Sequence, residues 1–584
     1  MKIFFILLLN ISSLLCISDS FAQVKFDSTQ WSYDSENKVY YQIGLSYCTY
    51  PVTTEYNTLG IIVPENYLSC IPSQTKLYTC NINSNGSAGK YTSETAPIVI
   101  PVSTPGYAAQ KSPQYYSYSQ YKDYLTEGFI YVHAGCRGRY EGENYNSGAP
   151  WGVTDLKAAI RYIRYNSDLI PGDKNSIFSF GHSGGGAQSC LLGITGDSDL
   201  YSEYLGNIGA VMEDEKGNKI SDKIKGSQCW CPITNLDTAD MAYEWNMGQY
   251  FTSDTRKERT FTKKLSNDLA KQYVSYVNNI SLKDESGNIL TLDQLDKNKG
   301  NYYDYLKSVI ETSLNNFLSD TYFPYTPEII PPFPGNIRKE KTYDNPTEYI
   351  NYLNEKEEWI KYDKKKNIAS ITSVEAFVKY VKNPTKKVGA FDDLNKTQAE
   401  NLVFGFNSEH NACHFDSYMR DLLKSNDYIY KELDGYDPSY KDSYSNDIEL
   451  RDALGKSVTE RVNIYNPMYY ISSYYNGYNT SKVADYFRIN TGITQGDTSN
   501  CVEMNLALAL KNFGKNVEFT TVWEQGHVLA ERGGSDKSTA NFISWVNKCM
   551  GKSDDNDDDS NKNNNSSFIK SSLKYYIILL GLLL

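Results

Sequence analysis

Residues 176–192 read SIFSFGHSGGGAQSCLL, and this stretch decides the fold class. The apolar run 176–180 is typical of a buried strand, and the residues after the glycines are typical of the start of a helix. Between them, Gly181-His182-Ser183-Gly184-Gly185 matches the pattern G-x-S-x-G. Glycines two positions either side of the serine permit a sharp strand-to-helix turn that exposes the hydroxyl. The stretch therefore predicts an α/β architecture with Ser183 as a nucleophile; a turn that simply needs glycine is the alternative.

Length and composition limit the possible classes of protein. A chain of 584 residues is long enough for a large core and an inserted or second domain. Its 22% charged and 40% hydrophobic residues are ordinary for a soluble globular protein. The formal net charge of -12 provides no basic surface for nucleic acid, which we therefore exclude as a partner.

The two ends of the chain have the features of processing segments. Residues 1–22 combine a charged start, an apolar run and a small-x-small cleavage site, as in a secretory signal peptide. We expect the acidic, Asn-rich residues 551–567 to form a disordered stalk. Residues 568–584 end in an apolar segment that is shorter than the roughly 20 residues of a membrane-spanning helix, and the whole pattern predicts a GPI anchor at a cell surface. A weak membrane-associating tail or a chance apolar end is the alternative.

The cysteines and glycosylation sequons fit an exported chain. Of the 11 cysteines, Cys16 lies in the predicted signal peptide, which leaves an even number and favours disulfides. Cys70 and Cys80 are close enough to close a local loop, although sequence alone fixes no pairing. Sequons for N-linked glycans begin at Asn85, Asn279, Asn395 and Asn479.

We predict a core domain in two parts with an insertion between them. In residues 23–245 apolar runs alternate with helical patterns, as in an α/β sheet, and this pattern resumes in residues 483–550. Residues 246–482 are rich in Tyr, Asn, Lys and Asp and have helical pieces such as 347–362. A long insertion between strands is usually a lid over a binding cleft; a separate domain unrelated to the site is the alternative. Predicted strands cover 97–102, 129–133, 225–232, 486–490 and 517–522, and predicted helices cover 155–165, 501–513 and 538–549.

A serine nucleophile needs a base, and the chain has five histidines. His527 lies in a glycine-bearing loop between the predicted strand 517–522 and the last helix, where the α/β-hydrolase order places its histidine. His182 neighbours the nucleophile and should point away from it, and His133 ends a strand and is expected to be structural. We therefore predict His527 as the base and an α/β-hydrolase fold, with a mostly parallel sheet flanked by helices and a large, mainly helical lid.

The acid should follow the preceding strand, where Asp497 is the carboxylate in TGITQGDTSN, residues 491–500. We expect Asp497 to orient His527 and to stabilise its imidazolium form. The alternative is that Asp497 caps the next helix, in which Glu503 is expected to lie.

Backbone N–H groups are the expected stabilisers of the oxyanion. One should belong to Gly184, directly after the nucleophile, and the other to the loop near Gly106 and Tyr107. A metal site formed by His410 and His414 with Cys413 is the weaker interpretation, because the chain has no H-E-x-x-H motif and a lid histidine more often packs or contacts substrate. We expect no cofactor.

With these residues in place, the sequence resembles the bacterial-type, subtype B tannases, a secreted or cell-associated group of α/β-hydrolase esterases. The resemblance covers most of residues 40–550. It implies release of gallate from tannin esters, without a metal, under a large lid. Besides the Ser183 turn, it rests on LGIIVPENYL, APIVIPVSTPGYAA, FIYVHAGCRGR, DLKAAIRYIRYN, CWCPITNLDTADMAYEW and KKVGAFDDLNKTQAENLVFG.

The resemblance also implies a set of contacts to the phenol ring. In that family a lid lysine and a glutamate fourteen residues later contact the hydroxyls of gallate, and these correspond to Lys386 and Glu400. The family usually has two aspartates two residues apart after the strand, one for the triad and one for the ligand, whereas this chain has Gln495-Gly496-Asp497. We assign Asp497 to the triad and leave Gln495 on the substrate side, which predicts a weaker ring contact. The alternative for Lys386 and Glu400 is a solvated lid surface.

The sequence thus predicts a secreted, surface-anchored serine esterase that acts on phenolic, galloyl-type esters. A feruloyl or acetyl esterase acting on plant cell-wall polysaccharide would use the same triad. A surface binding protein without turnover is a third interpretation, which the missing acid suggests and the pair of Ser183 and His527 disfavours.

Overall fold

A nine-stranded sheet lies at the centre of the structure, a computed structural model that describes residues 24–140, 147–327, 341–405 and 412–552. The predicted signal peptide and tail, and the predicted stalk beyond residue 552, lie outside these ranges. Within them, none of the helices has the length and apolar character needed to cross a membrane.

Strands and helices are numbered here in chain order. The strands are β1 (Ser32–Asp34), β2 (Val39–Ser46), β3 (Thr58–Pro64), β4 (Leu68–Pro72), β5 (Tyr78–Ile82), β6 (Ser87–Ala88), β7 (Tyr91–Thr92), β8 (Ile98–Val102), β9 (Ile130–Ala134), β10 (Ile177–His182), β11 (Gly226–Trp230), β12 (Ile360–Asp363), β13 (Ile368–Ile371), β14 (Tyr486–Gly492) and β15 (Asn516–Val522). The α-helices are α1 (Lys122–Glu127), α2 (Trp151–Tyr165), α3 (Gly184–Ile194), α4 (Ser202–Asn207), α5 (Ala239–Asn246), α6 (Phe261–Ile280), α7 (Asn301–Asp320), α8 (Pro346–Leu353), α9 (Val374–Tyr380), α10 (Ala399–Val403), α11 (Ser417–Ser425), α12 (Asp427–Tyr430), α13 (Ser439–Ile448), α14 (Val458–Ile464), α15 (Pro467–Ile471), α16 (Asn500–Asn512) and α17 (Ser538–Cys549).

The central sheet is mixed but mostly parallel. Its order is β1-β2-β3-β9-β8-β10-β11-β14-β15. In this order, the three pairs between β1 and β9 are antiparallel, and the five pairs between β9 and β15 are parallel. Helix α3 packs on β10 and β11. This arrangement confirms the predicted fold class, a mostly parallel sheet flanked by helices.

The central strands were predictable because they are buried along their whole length. Every residue of β8 and β11 is buried. Parallel strands covered on both faces carry nearly continuous apolar runs, and the stretch PIVIPV meets this requirement in β8.

The predicted helix over 347–362 is only half correct, because α8 ends at Leu353. The side chain of Asn354 then accepts hydrogen bonds from the backbone N–H groups of Trp359, at 3.1 Å, and Ile360, at 2.9 Å. This side chain turns the chain into the antiparallel pair β12–β13. The helical spacing of the sequence continues past Asn354, but its amide competes with the helix for backbone partners.

Between β11 and β14 the chain leaves the sheet and forms helices α5 to α15. The β12–β13 pair is part of the same insertion, and α7 packs against both β13 and β15. The insertion thus touches the sheet at its β15 edge.

A buried ion pair fixes the loop that follows β9. The Asp155 carboxylate, on α2, accepts hydrogen bonds from Arg137 Nε at 2.9 Å, Nη2 at 2.7 Å and the backbone N at 2.8 Å. Both side chains are fully buried, and the guanidinium lies 4.3 Å from the centre of the Trp151 ring. The pair therefore ties the loop after β9 to α2.

The disulfide between Cys70 and Cys80 confirms the predicted local loop and links β4 to β5. Other cysteines are buried thiols, so the even count does not translate into a full set of disulfides. These thiols belong to Cys48, Cys190, Cys229, Cys231, Cys413, Cys501 and Cys549.

We predict that Asp155→Asn lowers the free energy of unfolding by about 3–5 kcal/mol, because it leaves the Arg137 charge buried without a counter-ion. Denaturant unfolding followed by circular dichroism measures the change. As a matched control, Glu55→Gln breaks an exposed pair with Lys111, N···O 2.6 Å, and should cost less than about 1 kcal/mol. Equal losses in the two variants would contradict a stabilising role for the buried pair.

Candidate functional site

Ser183 occupies the turn between β10 and α3. Its backbone has φ 59° and ψ −125°, a strained conformation for a residue with a side chain. Its N–H donates to the carbonyl of Trp230 at 3.0 Å. A Cβ on Gly181 would lie 2.3 Å from Gly185 O, and a Cβ on Gly185 would lie 2.1 Å from Val102 O. Strand, turn and helix approach so closely here that only glycine fits at positions 181 and 185.

The candidate site lies where neighbouring parallel strands end. The carboxyl ends of parallel strands meet at one edge of a sheet, and ligands bind in the crevice there. Four predicted site residues lie in the turns and loops that follow β10, β14 and β15 at this edge, namely Ser183, Gln495, Asp497 and His527. Insertion residues that also reach it are Lys382, Lys386 and Glu400.

His527 is held by an amide. Its Nδ1 lies 2.7 Å from Oε1 of Gln495. Its ring centroid lies 4.8 Å from that of His182, the residue before Ser183, and its side chain is 5% exposed. The predicted base therefore lies beside the Ser183 turn with its Nδ1 occupied.

Asp497 does not occupy the position that we predicted for the acid. Its Oδ2 lies 3.7 Å from Nε2 of His527, beyond hydrogen-bond distance, and it is Gln495 that reaches Nδ1. Gln495 thus lies at the Nδ1 position that we predicted for Asp497, and Asp497 lies on the Nε2 side of the ring. The reason is that Gln495 turns inward, where Thr491 and Glu503 bind its amide, whereas the Asp497 side chain stays 15% exposed on the Nε2 side of the ring.

A buried polar network holds Gln495. Its Nε2 donates to Thr491 Oγ1 at 2.5 Å and to Glu503 Oε1, and Thr491 Oγ1 donates to the same carboxylate oxygen at 3.0 Å. The ammonium of Lys382 donates to the backbone oxygen of Gln495. All four side chains are fully buried. Sequence reasoning placed Glu503 inside a helix and overlooked Lys382; an acidic residue within the apolar run CVEMNLALAL was the available clue.

One tyrosine ties the insertion to the loop after β14. Tyr243 Oη donates to Gly496 O at 3.0 Å and accepts from the backbone N–H groups of Thr385, at 2.9 Å, and Lys386, at 3.0 Å. Thr385 Oγ1 also donates to Gly496 O at 3.0 Å. These bonds bring Lys386 next to Asp497.

Lys386, Glu400 and Asp497 interact electrostatically with one another. Burial raises the pKa of Glu400 and that of Asp497, and the Lys386 ammonium opposes the shift in both. Glu400 is 5% exposed, and Lys386 Nζ lies 4.2 Å from the centre of the Phe391 ring. One cation therefore interacts with two carboxylates, and one of these carboxylates, Asp497, lies 3.7 Å from the histidine.

The same cations act on His527. Burial, and then the charges of Lys386 and Lys382, lower the pKa of His527 to about 3. The imidazole is therefore neutral throughout the neutral pH range and can accept a proton.

Of the predicted oxyanion donors, the N–H of Gly184 is available, while that of Gly106 stays a prediction. Gly184 begins α3, so its N–H has no partner within the helix, and a Cβ on it would lie 2.6 Å from Tyr107 N. The N–H of Tyr107, by contrast, donates to Thr104 O at 2.9 Å. The prediction of Tyr107 as an oxyanion donor is therefore not supported, because this amide is used within its own turn.

Of the two histidines in the weaker metal interpretation, the described residues include only His414. His414 Nδ1 lies 2.6 Å from Asp392 Oδ1, and its ring stacks on Tyr444 with centroids 3.5 Å apart, so this histidine is a packed core residue. His410 lies outside the described residues.

One other set of side chains in the described ranges could hold a metal. The ligand atoms of His182, Cys231 and His527 lie within 4.8 Å of one another. Burial raises the pKa of the Cys231 thiol to about 12, and Sγ lies 3.2 Å from the carbonyl of Val528. Both features favour a protonated thiol over a metal-bound thiolate.

The family comparison covers part of the chain. A family model described as BD-FAE, an α/β-hydrolase esterase family, matches residues 88–281. A comparison with curated proteins gives no significant match.

Solved structures match almost the whole chain. The chain is similar to the tannase of Fusobacterium nucleatum, with 27% identity and a TM-score of 0.64 over 88% of this chain and 95% of that one. It is also similar to the tannin acyl hydrolase from Lactobacillus plantarum, with 24% identity and a TM-score of 0.64 over 90% and 99%. A tannin acyl hydrolase in complex with ethyl gallate matches at 24% identity, with a TM-score of 0.63 over 90% and 99%. The fold is therefore the α/β-hydrolase fold of tannases, and the chain is a carboxylic ester hydrolase.

Proposed function

We propose that the protein is a serine esterase that hydrolyses galloyl-type phenolic esters. The observation that carries the proposal is the position of Asp497, 3.7 Å from His527, with Lys386 tied by Tyr243 to the adjacent Gly496 and with Glu400 interacting with both charges. The similarity to tannases supports the substrate class, and the ethyl gallate complex of one relative supports a phenolic acyl group. The resemblance of the sequence to the subtype B group is part of this proposal.

The reaction proceeds through an acyl-enzyme. Ser183 Oγ attacks the ester carbonyl while His527 Nε2 takes its proton, and the N–H groups of Gly184 and Gly106 stabilise the oxyanion. The imidazolium then protonates the leaving alcohol. Water, activated by the same histidine, releases the acid and frees Ser183.

The three charged residues recognise the ring. Adjacent phenolic hydroxyls each carry a donor and an acceptor, so they pair with carboxylates and an ammonium held at fixed positions. Because Gln495 occupies the Nδ1 position, Asp497 is released for this contact. All three charged residues, Lys386, Glu400 and Asp497, can then contact the ring hydroxyls, so we no longer expect the weaker ring contact predicted from the sequence.

Two alternative functions, a feruloyl-type esterase and a binding protein, are each supported by one observation. A feruloyl-type esterase is supported by the BD-FAE match over residues 88–281. A binding protein without turnover is suggested by the amide in place of the acid at His527. The substrate panel below distinguishes both from the galloyl esterase.

We also propose that the protein is exported and anchored by lipid at a cell surface. The sequences of both ends support this location, and the Cys70–Cys80 disulfide is typical of oxidising compartments. The asparagines of the four sequons are exposed, as glycosylation requires; they are Asn85, Asn279, Asn395 and Asn479.

The purified protein should hydrolyse methyl gallate faster than methyl ferulate, and Ser183→Ala should lose at least about 10³-fold in kcat, because no other group supplies the nucleophile. Release of the free acids measures the rates. Ser119→Ala, at an exposed serine, is the control and should match the parent protein. Turnover of methyl ferulate or p-nitrophenyl acetate alone would refute the galloyl assignment.

Asp497→Asn should lower kcat/KM for methyl gallate by about 10- to 100-fold, the loss of one charge-assisted hydrogen bond. Hydrolysis of p-nitrophenyl acetate, which has no ring hydroxyls, should stay within about threefold of the parent value. Asp536→Asn, at an exposed aspartate, controls for the loss of a surface charge. If Asp497→Asn impaired both substrates equally, Asp497 would belong to the proton-transfer machinery instead.

The imidazole of His527 should stay neutral from pH 8 down to pH 5, because burial and two cations lower its pKa to about 3. Lys386→Met removes one of these cations and should raise the pKa toward the ordinary value. NMR titration of labelled histidines, with the His527 resonance assigned by its loss in His527→Ala, measures both values. The exposed Lys361→Met is the matched control, and a parent pKa near 6.5 would be the contradictory result.

A further inference from the structure

His527 has an amide where serine esterases usually have a carboxylate. The carboxylate fixes the imidazole tautomer and stabilises the imidazolium. An amide can fix the same tautomer only if its oxygen faces Nδ1. If its NH₂ group faced Nδ1, the ring proton would sit on Nε2, and His527 could not accept the proton of Ser183.

The orientation of this amide follows from its other neighbours. The Nε2 group of Gln495 donates to Glu503 Oε1. An ionised carboxylate only accepts hydrogen bonds, so it binds the NH₂ group and excludes the amide oxygen. Thr491 Oγ1 donates to the same carboxylate oxygen at 3.0 Å and thereby directs its own lone pairs toward Gln495. Glu503 thus leaves the amide oxygen facing Nδ1, at 2.7 Å.

Besides binding the Gln495 amide and Thr491, the Glu503 carboxylate is a counter-charge to the buried Lys382 ammonium. Its Oε2 is buried and has no hydrogen-bond partner in the part of the chain that the structure describes. Burial raises the pKa of Glu503 to about 7, and the Lys382 ammonium opposes that rise. A buried carboxylate with one unsatisfied oxygen costs stability, which argues for a functional reason to keep it.

We propose that Glu503 is a positioning residue that locks Gln495 with its amide oxygen on His527 Nδ1, and that the two side chains together replace the acid of the triad. Gln495 sets the tautomer by contact. The negative charge lies one hydrogen bond further from the ring and polarises the amide toward the imidazolium. This inference rests on the proposed esterase function but not on its galloyl specificity.

Exchange of the two side chains tests the proposal. Glu503→Gln should lower kcat for p-nitrophenyl acetate by at least about 10²-fold with little change in KM, because the second amide no longer forces the orientation of the first. The double variant Gln495→Glu/Glu503→Gln has the same atoms in a nearly identical shape. It places the carboxylate directly on Nδ1 and should recover kcat to within about tenfold of the parent.

A merely structural role for Glu503 would give a different pattern. In that case the double variant would be no more active than Glu503→Gln, and this outcome overturns the proposal. A Glu503→Gln variant with kcat within about threefold of the parent also overturns it. Asp222→Asn, at another buried ion-paired carboxylate, controls for loss of stability and should lower the melting temperature without lowering kcat of the folded protein.

Labelling of Ser183 by a fluorophosphonate separates this proposal from the proposed substrate. Like p-nitrophenyl acetate, the probe has no phenolic hydroxyls to bind, so a failure of the galloyl assignment leaves both readouts intact. The labelling rate should follow kcat through the three proteins: high in the parent, low in Glu503→Gln and recovered in the double variant. No labelling of the parent protein would overturn both the positioning role and the esterase function.

Discussion

The carbonyl oxygen of Val102 lies so close to the start of α3 that no side chain fits between β8 and the turn at Ser183. The position of Ser183, and with it the positions that its catalytic partners must take, depends on this contact. It presses the turn against the middle of the sheet and holds Ser183 at φ 59°, above the ends of the parallel strands. The groups that act with Ser183 must then come from the loops at the same edge.

No carboxylate contacts Nδ1 of His527 in the described part of the chain. The side chain on His527 Nδ1 is neutral, and the nearest carboxylate behind it is fully buried in α16. The second acidic residue, Asp497, remains on the other side of the ring, beside a lysine. In the proposed mechanism, proton transfer and ring recognition therefore depend on different acidic residues, Glu503 and Asp497.

The sequence predicted the parts of the fold that depend on local chemistry. The glycines around Ser183 and the apolar run of β8 specify a buried strand and a tight turn, so these elements lie where we expected them, and His527 lies in the predicted loop after β15. The direction of a side chain in an irregular loop is decided by distant residues instead. Gln495 turns inward because its amide hydrogen-bonds to Glu503 and Thr491. Nothing in the sequence indicates these bonds, and Asp497 was predicted as the acid because it is the carboxylate that follows the strand. The end of α8 depends likewise on where the Asn354 amide finds backbone partners.

The Tyr243 hydroxyl bonds to backbone groups of both the insertion and the loop after β14. These bonds fasten this part of the insertion to the loop after β14. In the proposed function, a phenol ring bound between Lys386 and Asp497 would therefore be held at a nearly constant distance from Ser183. Such a site would select acyl groups by length, because a cinnamoyl carbonyl lies two carbons further from its ring than a benzoyl carbonyl, and the two could not both reach the Ser183 hydroxyl from one ring position.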